Sequence, residues 1–307
     1  MSNNINTCLK RPLVSIVLPV YNGEAFLRDT LKSLLAQSFT DFELLIADNA
    51  SNDSTSDICQ EYLLKDSRII YHRHSFNKGL TANQEWLYRQ AKGKYIMLVG
   101  DDDVYDPLCL VNCVDRIDNR NDIILVYFNY EWIDEKGNRS PSGLKIFMKP
   151  ENKIFKNLYL FIRSPIVLPL GMGLFRTKLV QQAIPFPIYS NRYKDFTGSR
   201  DIGFLWKIIH KGQIDSIRTP LFAYRSKPRK TVPSSWGHSR FITKKNVIYL
   251  NWLILIKTIL PRVWVIDLSF YQKVCLTFFA GFIFIAQYTL IPFFQKIRSY
   301  LFPNRMC

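Results

Sequence analysis

The chain has 307 residues, 48% hydrophobic and 21% charged, with a formal net charge of +16. That charge is partitioned: residues 1–120 carry 13 Lys+Arg against 16 Asp+Glu, a net of −3, whereas residues 121–307 carry 28 against 9, a net of +19. A basic chain invites a nucleic-acid reading, but no nucleic-acid motif is present and the cations accumulate toward an apolar C-terminal tail, a pairing that fits an anionic membrane surface.

Pro12 to Val20 is a short, β-branched apolar run flanked by proline, which predicts a buried strand. Residues 24–37 place Phe26, Leu27, Thr30, Leu31, Leu34 and Leu35 at helical spacing. Residues 41–47 form a second strand pattern ending at Asp48-Asn49, and Asp53 and Ser54 read as caps of a helix running to Lys65. Residues 68–74 predict a third strand, on which His72 and His74 share a face. A metal pair and two strand-end polar residues are both open for them. Gly79 opens onto a helix over 81–91, Gly93 is expected to stop it, and Lys94 to Val99 predicts a fourth strand. Strands alternating with helices imply an α/β fold with a mostly parallel sheet and helices on both faces. Ligands of such sheets bind at the carboxyl ends of the strands. The polar clusters Tyr21-Asn22, Asp48-Asn49, Asn77-Lys78-Gly79 and Asp101-Asp102-Asp103 all fall there.

The three consecutive aspartates close an apolar strand. Carboxylates this crowded repel one another, and a hard divalent cation bound to phosphate would neutralise them. A solvated acidic turn, with Asp103 starting the next helix, is the alternative.

The stretches Val14–Asn22, Leu31–Phe39, Phe42–Asp53, Asn77–Leu80 and Ala91–Asp103, in this order and spacing, resemble the amino-terminal half of family 2 glycosyltransferases. The resemblance covers residues 12–110 and continues more weakly to about residue 226. It implies a GT-A, Rossmann-like domain that moves a sugar from a nucleotide-diphosphate donor to a glycan or lipid-linked acceptor. Inverting, hexosyltransferase-type chemistry assisted by Mg²⁺ or Mn²⁺ is expected. By the same resemblance, Pro19, Val20 and Tyr21 border the nucleoside, and Asp48 with Asn49 reads the base. Asn77 and Gly79 belong to the donor site and Asp101 lies near the ribose. Asp102 and Asp103 make the metal site, Asp102 binding directly and Asp103 orienting a loop or water beside it. The family's usual Asp-x-Asp-Asp reads Gly100-Asp-Asp-Asp here. Asn49 replaces a frequent second Asp, and Arg200 replaces the Glu of a Glu-Asp pair. These three departures leave a catalytically inactive sugar-nucleotide-binding membrane protein as the alternative function.

In the second half, residues 123–130 predict another strand, and 131–153 an irregular polar excursion. Residues 170–176 resemble the family's acceptor-side strand. Residues 199–209 predict a helix with Ile202, Leu205, Ile208 and Ile209 as its apolar stripe. The resemblance implies that Asp201 on it is the general base, removing the acceptor hydroxyl proton, with Asp195 as the fallback; an ordinary first-turn acid favoured by the helix dipole is the alternative. Residues 213–224 predict a closing strand, and Arg225 is expected to offer its planar fork to the diphosphate. The domain is expected over 12–232, divided into a nucleotide-sugar half (12–110) and an acceptor half (111–232). A membrane-associated helical tail is expected over 240–307. Val274 to Phe294 is 21 residues without a charge, long enough at about 1.5 Å per residue to cross a hydrocarbon core of about 30 Å. Residues 1–11 carry no apolar signal segment, and the six cysteines show neither a disulfide framework nor zinc spacing. The expected location is therefore the cytoplasmic face of the cell membrane, with membrane lipid as a partner and no nucleic acid.

Overall fold

The computed structural model describes residues 11–142, 147–149, 170–186 and 197–225, with Thr277 alone beyond them; the side chains of 197–200 and of Ile202 are outside the description. The tail over 240–307, the basic loop after Arg225, and Asp195 therefore lie outside the described residues.

The first half follows the sequence pattern closely. Strands β1 (Val14–Val20), β2 (Phe42–Asp48), β3 (Ile69–Arg73) and β4 (Tyr95–Leu98) alternate with helices α1 (Leu27–Leu35), α2 (Thr55–Lys65) and α3 (Leu80–Gln90). They lie in the order β3-β2-β1-β4, all parallel. Strand alternation sends Val14, Ile16, Leu18 and Val20 of β1, with Leu44 and Ile46 of β2, into one core with Leu27, Leu31 and Leu34 of α1 and Ile58 and Tyr62 of α2. Helix α3 packs on β1 and β2 as well, and its buried Asn83 donates from Nδ2 to the Ala47 carbonyl at 2.8 Å.

At the amino end of these strands a buried polar knot holds the turn from α3 to β4. Ser15 Oγ donates to Glu43 Oε1 at 2.6 Å, and the N–H groups of Lys92 and Gly93 donate to Glu43 Oε1 and Ser15 Oγ at 2.9 and 2.8 Å. Gly93 does not end α3 as expected; Ala91 is the terminal cap. A Cβ at position 93 would lie 2.6 Å from Ser15 N and 2.8 Å from Val14 C, so close passage against β1 is what requires glycine.

The second half corrects the expectation of a mostly parallel sheet. After β4 come β5 (Val104–Tyr105), α4 (Cys109–Asp118), β6 (Ile123–Ile133), β7 (Arg139–Pro141), β8 (Leu174–Arg176), α5 (Thr177–Ala183), α6 (Thr197–Ile209) and β9 (Gln213–Arg225). The sheet continues β4-β8-β6-β9-β5, with β7 on β6. Strand β8 runs antiparallel to both β4 and β6, as β7 does to β6 and β5 to β9, while β6 and β9 are parallel. Among the described residues four parallel pairs and four antiparallel ones make the sheet mixed. The polar excursion is also more ordered than expected. Strand β6 runs on to Ile133, and Asp134 accepts the N–H groups of Lys136 and Asn138, closing a hairpin onto β7.

Candidate active site

Four loops meet at the carboxyl ends of β1, β2, β3 and β4, and each is built by local polar chemistry. The loops after β1 and β2 are joined to each other. Asn22 N–H donates to Ser51 Oγ at 3.0 Å, Asn22 Oδ1 accepts Asn52 N–H at 3.0 Å, and Gly23 N–H donates to Thr55 Oγ1 at 2.8 Å. Asp53 accepts the N–H groups of Glu24 and Thr55 and so caps α2; Ser54 makes no side-chain cap. Two non-glycine residues hold positive φ here, Asn22 at 53° and Ala50 at 62°. Such backbone costs about 1–3 kcal/mol and clusters at functional sites.

Asp48 is fully buried at the end of β2. Its Oδ1 accepts Ser51 N–H at 2.8 Å, its Oδ2 accepts the Tyr71 hydroxyl at 2.9 Å, and Arg73 Nε stands 3.6 Å from Oδ2. Burial, and then the Asp48 charge, pushes the Tyr71 hydroxyl up from its ordinary value. The carboxylate thus shapes the loop from inside. Asn49, 2% exposed, ties in the third loop: its Nδ2 donates to Asn77 Oδ1 at 2.7 Å and its Oδ1 accepts Lys78 N–H at 2.8 Å. Asn77 Oδ1 also accepts Gly79 N–H, and Gly79 enters α3 at φ 82°. An aspartate at position 49 could not donate to Asn77, which accounts for the amide.

His72 and His74 resolve into an edge-on polar pair packed against Trp86. His72 lies flat on Trp86, centroids 4.3 Å apart, and its Nε2 is 3.2 Å from His74 Nδ1. Because Asn83 spends its amide on Ala47, its Oδ1 faces His74 Nε2 at 3.1 Å, so that nitrogen donates. His74 Nδ1 is then left to accept from His72. Burial first, then Lys78 and His72, pushes the His74 pKa down.

The fourth loop carries the aspartates. Asp101 and Asp102 are half-buried and Asp103 is fully buried. A Cβ at Gly23 would lie 2.9 Å from Asp101 Oδ2, so Asp101 reaches back against the first loop. A Cβ at Gly100 would lie 2.6 Å from Asp103 Oδ2, so the family's usual first aspartate has no room while Asp103 folds inward. Helix α1 and the turn after it hold the following segment: from the helix Thr30 Oγ1 donates to Asp103 O and Ser33 Oγ accepts Tyr105 N–H, and just beyond it Gln37 bonds Asp106 O and Leu110 N–H. Across the sheet, burial and then the charges of Asp103 and Asp102 push the Tyr224 hydroxyl up to about 12, so the aspartates' field reaches β9.

Arg225 does not stand with its fork open. It is 5% exposed, with Nε donating to Asp102 O at 2.8 Å, Nη1 to Asp134 O at 2.9 Å, and the guanidinium 4.1 Å over the Phe26 ring. Its Nε and Nη1 donors are engaged behind the aspartate turn. Asp103 is enclosed, and its Oδ1 accepts Arg225 N–H at 3.0 Å. Asp201 is half-buried in the first part of α6; burial pushes the Tyr88 hydroxyl of α3 up, the Gln84 hydrogen bond draws it down, and the Asp201 charge adds a smaller upward push. Pro19 and Tyr21 are half-buried, Val20 is buried, and the Val20 carbonyl accepts Asn49 N–H at 2.9 Å. Among the described residues no group of three or more His, Cys, Asp and Glu is arranged to hold a metal ion. As site residues, sequence reasoning missed Tyr71, Ser51, Phe26 and the Asp134 carbonyl; each has at least one partner 20 or more residues away, which leaves no local signal.

The sequence profile of glycosyl transferase family 2 matches residues 15–180, more than half of the chain, and takes in all four loops. The chain belongs to that family. An uncharacterized glycosyltransferase of Methanocaldococcus jannaschii is 36% identical over 152 residues, 49% of this chain and 51% of the relative. Glycosyltransferase GlyG of Streptococcus pneumoniae is 27% identical over 125 residues, 40% of this chain and 41% of the relative. The chain thus spans about half the length of the first of these curated relatives and less of the second. Among solved structures, S. aureus TarS 1–349 in complex with UDP aligns with a TM-score of 0.63 at 19% identity, over 86% of this chain and 69% of that one. A likeness at that identity speaks for the fold, the mixed-sheet GT-A architecture.

Proposed function

We propose that this family 2 glycosyltransferase moves a hexose from a nucleoside-diphosphate sugar onto a glycan or lipid-linked acceptor, with inversion, in the synthesis of a surface polysaccharide or glycolipid. The observation that carries the reading is the aspartate turn. It ends β4 among three mutually tied loops, and Asp101 and Asp102 are its two half-exposed carboxylates. TarS has been crystallised with UDP and with UDP-GlcNAc, which supports a nucleotide-sugar donor of that class here.

The residues fit a divalent cation of the kind that takes one or two protein oxygens and the rest from phosphate and water. Asp102 would hold it, with Asp103 and Asp101 beside it. When bound, the ion would offset charge on the departing diphosphate. The tied loops fix the donor and exclude water from its nucleoside end. The acceptor hydroxyl oxygen forms a bond to the anomeric carbon as the bond from that carbon to the diphosphate oxygen breaks; the hydroxyl proton goes to Asp201 and the nucleoside diphosphate leaves.

Two of the three departures from the family pattern do not favour an inactive protein; the side chain of the third, Arg200, lies outside the described residues. Gly100 makes room for Asp103 and Asn49 joins two loops, so both are built into the site. Incubation with a panel of nucleotide sugars, with mass spectrometry of the products, tests the reading. Sugar-bearing product with release of the nucleoside diphosphate supports it, and donor binding without turnover would sink it.

The uncharged run from Val274 to Phe294 and the cations before it support attachment of residues 240–307 to the cytoplasmic face of a membrane. A tail of that kind resists high salt and alkaline carbonate and yields to detergent; an intact chain that stays in solution without detergent would contradict it.

A further inference from the structure

We propose that Arg225 is a positioning residue of the donor site, which together with Gly100 sets the shape of the Asp101–Asp103 turn and so the direction in which Asp102 faces a nucleoside diphosphate and its divalent cation. The inference rests on the glycosyl-transfer reading above and gives Arg225 a different task from a phosphate-binding fork.

Arg225 grips the turn in two places. Its main-chain N–H donates to Asp103 Oδ1 at 3.0 Å, and its Nε donates to Asp102 O at 2.8 Å. The second bond fixes the peptide plane that follows Asp102, and with it the direction of that residue's side chain. The rest of the arginine is anchored elsewhere. Nη1 donates to the Asp134 carbonyl of the β6–β7 hairpin at 2.9 Å, Nη2 stands 3.9 Å from Asp29 Oδ2, and Phe26 of α1 lies under the guanidinium at 4.1 Å. One side chain thus joins α1, the hairpin and β9 to a turn more than 120 residues earlier in the chain. Its charge also stands directly behind three consecutive carboxylates whose mutual repulsion would otherwise open the turn. From the other side, Gly100 lets Asp103 fold inward, since any Cβ there would sit 2.6 Å from Asp103 Oδ2. Residues 100 and 225 therefore act on one turn, Gly100 at Asp103 Oδ2 and Arg225 at Asp103 Oδ1 through its main chain and at Asp102 O through its side chain.

The fork geometry is what matters. A lysine at 225 keeps the charge but offers a single ammonium, which cannot supply both the Nε and the Nη1 bonds. Loss of a hydrogen bond from a charged group corresponds to about a tenfold to hundredfold effect.

The test measures binding of UDP, GDP, CDP and dTDP to the full chain by calorimetry, each with Mn²⁺ and with chelator, alongside melting temperature. For the diphosphate that the wild type binds, Arg225→Lys and Gly100→Ala should each lower affinity in Mn²⁺ by about 10–100-fold and leave affinity in chelator nearly unchanged. The double variant should lose less than the product of the two, because both act through the same turn. A merely structural arginine would lower both affinities alike and leave their ratio unmoved, which overturns the proposal. So does unchanged Mn²⁺-dependent binding in both variants. If Arg225→Lys does not fold, Phe26→Leu, which removes the ring face under the guanidinium, carries the same expectation in milder form. A wild type that binds none of the four diphosphates defeats the underlying reading along with the proposal, whereas a binding wild type with indifferent variants defeats the proposal alone.

Discussion

Replacing Tyr71 by Phe tests whether buried Asp48 holds the base-side loop in place. The ring is kept and one hydroxyl is lost, which in the native protein donates to Asp48 Oδ2 at 2.9 Å and lies 3.2 Å from Ser56 Oγ. The carboxylate is fully buried, so water cannot replace the missing donor without opening the loop. Arg73 stands 3.6 Å away with nearly half of its side chain exposed, and solvent screens what it can add. A hydrogen bond to a charged acceptor contributes about 1.5–3 kcal/mol. At about 2–4 °C per kcal/mol for a domain of this size, the melting temperature should fall by about 3–12 °C. The loss should also be local. Hydrogen exchange at Ser51 N–H, which donates to Asp48 Oδ1, should accelerate more than at Gly93 N–H in the polar knot at the opposite end of the strands. An unchanged melting temperature with unchanged Ser51 protection would refute the assignment of Asp48 as the loop's internal anchor.

Other variants probe separate parts of the account. Asp201→Asn keeps the shape but cannot take the proton, so turnover should drop by about 10²–10⁴-fold with donor affinity unchanged; collapse of donor affinity would make Asp201 a binding residue. His74 is held below its ordinary pKa by burial and by neighbouring Lys78 and His72. The unfolded chain therefore binds the proton first as pH falls, and stability present above about pH 6.5 should be lost progressively below it. Denaturant midpoints measured down the pH scale should show that slope, and His74→Gln should flatten it. Gly93→Ala should destabilise by about 1–3 kcal/mol in the same assay, because the new methyl meets the β1 backbone rather than a movable side chain; a neutral result would mean that the turn shifts at no cost.

Local pattern was enough for the first half of the sheet. Strands β1 to β4 are apolar runs separated by helices with clear stripes, and connections of that kind leave the strands parallel. In the second half the apolar runs were visible but their directions were not. Strand β8 is three residues long, enters between β4 and β6, and reverses the sheet there, and nothing within Leu174–Arg176 encodes which neighbours it finds. The same limit applies to the site. Sequence reasoning located Asp48, Asn49, Asn77, Gly79 and the three aspartates at strand ends, where the structure has them. It could not foresee that Asp48 and Arg225 are enclosed, because burial there comes from Tyr71, Phe26 and the β6–β7 hairpin, all distant in sequence. Gly100 looked like a missing carboxylate, and only the position of Asp103 shows why glycine stands there.

Glycosyl transfer is proposed to run through Asp102 in the turn at the end of β4. The most direct measurement is nucleoside-diphosphate release by the full chain with its accepted donor and acceptor, comparing wild type and Asp102→Asn in Mn²⁺ and wild type in chelator. The substitution should lower the rate by at least about 10²-fold, the scale of losing one main electrostatic stabiliser, and chelator should abolish release until Mn²⁺ is restored. A wild-type rate from Asp102→Asn, or full turnover in chelator, would contradict the account.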